Sequence, residues 1–159
     1  MQQLLLSQYN SVRGSRQALF SYCKSFDNVD LFKTVEAFNN SNIAHLLTHV
    51  ANSYLHWMIY FDQQTPEVYF KDVDVKCMDD IEKMYKEVDT ALYNFIEKYK
   101  ADYEKSFTKN KSRRNILIIT TPLALFTHVI THEFHHKGQV LTMSRLLGYT
   151  PVDTDIIRY

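Results

Sequence analysis

The sequence predicts an all-α protein, an antiparallel four-helix bundle with a short extended segment before the last helix. Three observations carry this expectation. Among 159 residues Gly and Pro occur only three times each, so few positions interrupt a helix. Four segments space their apolar residues at helical intervals. Between them stand residues that start and stop helices: Asn and Ser at N-caps, Pro at a first turn, Gly at an end. The length suits one domain with its own core, spanning residues 1–159.

The first helix is expected over residues 2–24, where Leu5, Leu6, Tyr9, Val12, Leu19 and Phe20 recur near helical spacing and Gly14 is a mild weakness. The second follows the cap-forming NNSN and runs from Ile43 to Phe61. At about 100° per residue, Ile43, Leu47, Val50, Tyr54, Trp57 and Phe61 share one arc, its core face. Pro66, in the loop QQTPEVYFKDVDV, prevents continuation. The third helix is expected from Met78 to Tyr103, with Ile81, Met84, Tyr85, Val88, Leu92, Phe95, Ile96 and Tyr99 inward. FTKNKSRRNILIITTP then breaks the pattern, and its β-branched NILIITT reads as a short strand or extended stretch.

The last helix opens at Pro122 and closes at Gly148. One stripe on it holds Leu123, Phe126, Ile130, Phe134 and Leu141; the opposite side holds Leu125, Val129, Met143, Leu146 and Leu147 with His128, His132, His136 and Gln139. A helix apolar on two sides is expected at the bundle's centre or partly beneath a second subunit, and a homodimer is the expectation carried forward.

Lys+Arg and Asp+Glu balance at 18 each, so no global field attracts nucleic acid or an anionic membrane, and neither is an expected partner. The one basic cluster, Lys105, Lys109, Lys111, Arg113 and Arg114, reads as a solvated loop. Cys23 and Cys77 lack metal or redox spacing and read as reduced, buried thiols. The N-terminus lacks the features of a signal peptide and no apolar run approaches a membrane span, which leads to the expectation of a soluble, cytoplasmic protein.

Function is concentrated in THVITHEFHHKGQ, which carries four of the seven histidines. His132 and His136 are one turn apart, with roughly 40° between their directions, so both imidazoles can reach one metal ion. His128 extends the ladder by a turn, and His135 points away as a surface or supporting residue. Two ligands make a poor site, and the second helix offers His45, His49 and His56 as a third, His49 lying nearest its core boundary. Imidazole suits zinc, nickel, iron or copper. Gln139 lies on the histidine side and can bond a ligand or a bound water. Gly138 is expected to allow close helix packing, and Asp153 and Asp155 to serve turns.

His132 to His136 also spells H-E-x-x-H, the zinc signature of one protease class, in which the Glu is the general base. That reading is the weakest. No Glu or His follows His136, and a bundle supplies no sheet edge for a peptide substrate. Glu133 is therefore expected to be a bystander.

The segment LLTHV around His49, the block HEFHHKGQ and the tail LLGYTPVDTDII resemble the DinB/YfiT-like family of bacterial metal-binding four-helix bundles, a likeness that covers essentially the whole chain. The resemblance implies a ligand set of one histidine from the second helix and two from the last: His49, His132 and His136. It implies a divalent ion, zinc or nickel first and iron or manganese as alternatives, with open positions for water or substrate. Relatives include bacillithiol-using thiol-S-transferases and a mycothiol-dependent isomerase. The implied activity is a thiol-S-transferase type reaction between a low-molecular-weight thiol and a small electrophile. The alternative expectation is a non-catalytic dimeric module with a structural metal. The resemblance assigns no catalytic residue and no thiol-binding residue.

Overall fold

The computed structural model describes residues 1–111 and 116–158. Among them are four helices, α1 (Gln2–Cys23), α2 (Ile43–Leu55), α3 (Met78–Lys98) and α4 (Pro122–Leu146), and two strands, β1 (Phe107–Lys111) and β2 (Ile116–Thr120). Local signals set the helix ends. The Asn42 side chain accepts the His45 N–H at 2.8 Å and caps α2. Thr121 accepts the Ala124 N–H at 3.1 Å ahead of Pro122. At the far end of α4, Tyr149 N–H returns to Ser144 O and Gly148 N–H to Arg145 O, a Schellman closure that needs Gly148 at φ +96°.

Each helix packs against two others: α1 and α2 each lie between α3 and α4. Side-chain pairs give their directions. Tyr9 meets Asp89 and Lys24 meets Asp79, so α1 and α3 are antiparallel. Trp57 meets His128 while His49 meets His136, so α2 and α4 are antiparallel too. In contrast, Arg16 meets Glu133 and Tyr22 meets Ser144, so α1 and α4 are parallel. Tyr85 reaches Leu47 and Lys98 reaches Asp62, which makes α2 and the chain beyond it parallel to α3.

Parallel neighbours cannot be joined by a tight turn, so the chain must travel back along the bundle. The segment between α2 and α3 does this along α2. Asn52 holds Phe70 through two bonds of 2.9 Å, and His45 meets Asp72 at 2.7 Å. The core inside is continuous: Tyr9, Ile43, Tyr54, Ile81, Val88, Leu92, Val129 and Met143 are completely buried. Cys23 is buried and free, and burial pushes its thiol up to about 12. Cys77 is free and half-buried. No helix among the described residues is long and apolar enough to cross a membrane.

The structure departs from the sequence expectations in several places. A π turn, His56–Phe61, follows α2 in place of a continuous α-helix, and it leaves Trp57 half-buried while Phe61 stays inside. Helix α3 stops at Lys98; the Asp102 carboxylate accepts the N–H groups of Glu104 and Lys105, turning the chain there. Of the expected extended stretch NILIITT, Asn115 lies outside the described residues and ILIIT is a strand as expected, but it pairs with FTKNK, which had no strand signal. Lys109 is accordingly no solvated loop residue: with Lys98 it pairs with Asp62, whose carboxylate is 1% exposed. Arg113 and Arg114, and the side chain of Lys111, lie outside the described residues.

The two stripes of α4 are in fact one arc. Leu125, Phe126, Val129, Ile130, Val140 and Met143 are buried together with Glu133 and Lys137, while Leu146 is exposed. A Cβ on Gly138 would meet nothing within 4 Å, so Gly138 permits no close packing. Asp153 serves a turn as expected, accepting the Asp155 N–H at 2.8 Å.

The two helix-four glycines are therefore expected to respond in opposite directions. Gly148→Ala, at positive φ, should lose about 1–2 kcal/mol of stability. Gly138→Ala, in an open mid-helix position, should gain about 0.5–1 kcal/mol. Urea unfolding followed by circular dichroism measures both, and the same sign for both would contradict this backbone assignment.

Candidate metal centre

α2 and α4 run antiparallel, and where they cross they bring His49, His132 and His136 together. One ligating nitrogen from each lies within 4.8 Å of the others. The His132 and His136 Nε2 atoms are 3.1 Å apart. Two nitrogens sharing one tetrahedral zinc are about 3.3 Å apart, given Zn–N bonds of about 2.0–2.1 Å. His49 closes the group from α2, its ring centroid 5.2 Å from that of His132 and 4.8 Å from that of His136.

Hydrogen bonding fixes how the rings present themselves. The Gln139 carbonyl oxygen accepts from His136 Nδ1 at 2.6 Å, while its amide donates to His135 Nε2 at 3.3 Å. With the proton on Nδ1, His136 aims its Nε2 lone pair at His132, the supporting contact a ligating histidine ordinarily has. His132 Nδ1 is buried without a partner among the described residues. Burial and the imidazoles of His136, His49, His128 and His135 push His132 down to about 4. Burial also lowers His49 and His136. All three rings are thus biased to the neutral, lone-pair-bearing form that binds a metal. Convergent neutral nitrogens and an oriented lone pair fit a divalent ion.

The other histidines are not part of the convergent group, although His128 stacks beside His132 with centroids 5.8 Å apart. His45 meets Asp72, exposed His128 packs on Trp57 with centroids 5.0 Å apart, and His56 bonds the Tyr69 hydroxyl at 2.8 Å. Exposed His135 flanks the site, its ring centroid 4.9 Å from that of His136 and its Nε2 bonded to the Gln139 amide.

Glu133 overturns the expectation of a bystander. It is 8% exposed and receives both guanidinium bonds of Arg16, at 2.7 and 2.8 Å, and the Tyr54 hydroxyl at 2.5 Å. Arg16 continues to Asp89 at 2.8 Å, and Asp89 accepts from Tyr9 at 2.6 Å. Burial opposes the charge on Arg16, but Glu133, together with Tyr9 and Tyr54, more than offsets it, and the guanidinium is held well above its usual range. Burial and Glu133 together raise Tyr54. A carboxylate engaged in this way is no general base for a protease, and the H-E-x-x-H spelling carries no zincin chemistry. Arg16, Asp89 and the Tyr54 hydroxyl gave no sequence signal, because each looks ordinary until the helices assemble.

Beside the centre, a cavity of about 330 Å³ is lined by His49, Asn52, Ser53, His56, Trp57 and Tyr69. His49 thus belongs both to the convergent histidine group and to the cavity wall.

A helical bundle whose three histidines converge, one of them in a cavity wall, defines the class: a helical protein whose donor set can hold a metal ion. The profile of the DinB family matches residues 1–159, and the chain belongs to that family. Metal binding is the family's general property. The chain is similar in fold to a DinB-like protein from Bacillus cereus ATCC 10987, with a TM-score of 0.63 and 17% identity over 94% of this chain and 95% of the other. A search of curated proteins returned no match.

Removing one partner of a buried ion pair strands the other's charge. Glu133→Gln or Arg16→Met should each cost about 3–5 kcal/mol in urea unfolding. The double variant Arg16→Met, Glu133→Gln should cost less than the sum of the two single changes. Additive losses would show that the pair is not coupled.

Proposed function

We propose that this DinB-family chain holds one divalent ion, zinc or nickel, through His49, His132 and His136, and catalyses a thiol-S-transferase type reaction. The observation that carries the reading is the cavity in whose wall His49 stands. A purely structural metal site is closed by protein ligands, whereas a three-histidine site with adjoining space suits exchange of water for substrate.

When bound, such an ion supplies positive charge that keeps a thiol ionised at neutral pH. The chain's own residues perform the rest. Three neutral imidazoles supply the donor set, and Gln139 orients His136 through its Nδ1–H. The Glu133–Arg16 pair fixes the α4 turn that carries His132 and His136. The cavity receives the organic parts of the reactants and limits their approach. In the transfer itself the thiolate sulfur forms a bond to the electrophilic carbon. The leaving group departs with the electron pair of its own bond, and the thiol proton has already passed to solvent.

Protein purified without an affinity tag and loaded with zinc should carry one ion per chain by elemental analysis. His132→Ala should lose that ion while its helical circular dichroism persists. Absence of binding to both zinc and nickel would overturn the reading. The loaded protein should also speed conjugation of a low-molecular-weight thiol to monochlorobimane, and His49→Ala should return the rate to background. A metal-bearing protein that accelerates no thiol of a panel would contradict the transferase assignment and leave metal binding intact.

A further inference from the structure

Among the described residues β1 and β2 pair with each other and with no further strand, so each keeps one edge without a strand beside it. The two edges differ. On β1 the Asn110 carbonyl turns outward and accepts from the Gln64 side chain at 3.2 Å, and Lys109 ties the strand to the buried Asp62. β2, with the sequence ILIIT, carries no charge. Among the described residues no hydrogen bond from outside the strand pair reaches it.

The register tells which peptide groups of β2 face outward. Asn110 opposes Leu117, and Thr108 opposes Ile119. In an antiparallel ladder, opposed residues alternate between exchanging both backbone bonds and exchanging none. Because the Asn110 carbonyl faces away from β2, Asn110 and Leu117 exchange none, and neither do Thr108 and Ile119 two residues along. The N–H and C=O groups of Leu117 and Ile119 therefore point away from β1. Their side chains share one face of the hairpin and are 66% and 74% exposed. An apolar edge of this kind is a template for another strand.

We propose that the β2 edge is the surface through which two copies of this chain pair, β2 against β2 about a twofold axis at Ile118. The spacing of the outward groups selects this partner. With antiparallel strands centred on Ile118, Leu117 of each copy opposes Ile119 of the other, and each such pair can exchange both of its backbone bonds. Ile118, whose own groups face β1, sits at the centre and needs no new partner. The same register sets every exposed Leu117 side chain beside an exposed Ile119, so each gains an apolar cross-strand neighbour. A neutral strand meets its copy without repulsion, whereas pairing through β1 would set Lys109 against its own copy. An edge of five residues is small for an interface, so this dimer is weak and reversible. The inference is independent of the metal reading.

Sedimentation velocity over a concentration series of the full chain, from low micromolar to millimolar, tests it together with amide hydrogen exchange at both ends. The chain should be monomeric when dilute and dimeric when concentrated. The Leu117 and Ile119 amides should be at least about tenfold better protected in the concentrated sample. Ile119→Pro removes an N–H that β1 does not use, a change an edge strand tolerates, and it should weaken association at least about tenfold. Ile119→Val keeps both the N–H and the apolar side chain and should stay within about twofold of the unaltered chain. Leu117→Lys leaves the backbone intact and should also weaken association at least about tenfold, so it decides the matter if the proline disturbs the hairpin. Circular dichroism and thermal melting verify the fold of each variant.

A chain that stays monomeric at millimolar concentration would contradict the proposal. So would a dimer that Leu117→Lys leaves intact, or one in which the Leu117 and Ile119 amides exchange as fast as in the monomer. Growth beyond a dimer would contradict it as well, since the twofold register uses each β2 edge once.

Discussion

Much of this bundle depends on one buried ion pair. Glu133 and Arg16 lie 117 positions apart in sequence and meet in the interior with two bonds. Neither charge is tolerable there alone, because desolvating an ion costs several kcal/mol. Glu133 stands on α4, Arg16 on α1, Tyr54 on α2 and Asp89 on α3, so satisfying these charges requires all four helices at once. Apolar burial drives the collapse, and this network selects one arrangement of the collapsed helices. It rules out a register in which α1 slides by a turn against α4, since either ion would then be stranded.

The same constraint reaches the candidate metal centre. Glu133 follows His132 directly in the chain and precedes His136 by three residues, so a fixed Glu133 fixes the turn that presents both histidines to α2. Tyr54, five residues beyond His49, donates to the same carboxylate at 2.5 Å. One acidic side chain thus sets the relation of the two helices whose histidines converge. Its own chemistry is spent on that positioning.

The helices and the three histidines were legible in the sequence because their signals are local. Asn42, Thr121, Pro122 and Gly148 mark ends through the residues beside them, and His132 and His136 declare their shared direction by spacing alone. What stayed hidden required knowledge of distant partners. Glu133 and Lys137 occupy the buried arc of α4, yet as charged residues they split that arc into two apparent stripes. Lys137 is accommodated by Ser15 and by the Thr154 carbonyl, at 2.7 and 2.6 Å, a meeting no spacing rule foretells. The strand FTKNK was missed for a similar reason: it lacks intrinsic strand preference and becomes a strand by pairing with ILIIT. His49 was favoured over His45 and His56 by its place at the core boundary and by family resemblance. The returning segment, invisible in the pattern, is what engages the other two, through Asp72 and Tyr69.

X-ray absorption at the zinc edge, on zinc-loaded protein with and without a small thiol, tests the account most directly. The account predicts three imidazole nitrogens at about 2.0–2.1 Å in both states, and one sulfur at about 2.3 Å that appears only with the thiol. A shell without imidazole scattering, or one that thiol leaves unchanged, would contradict it.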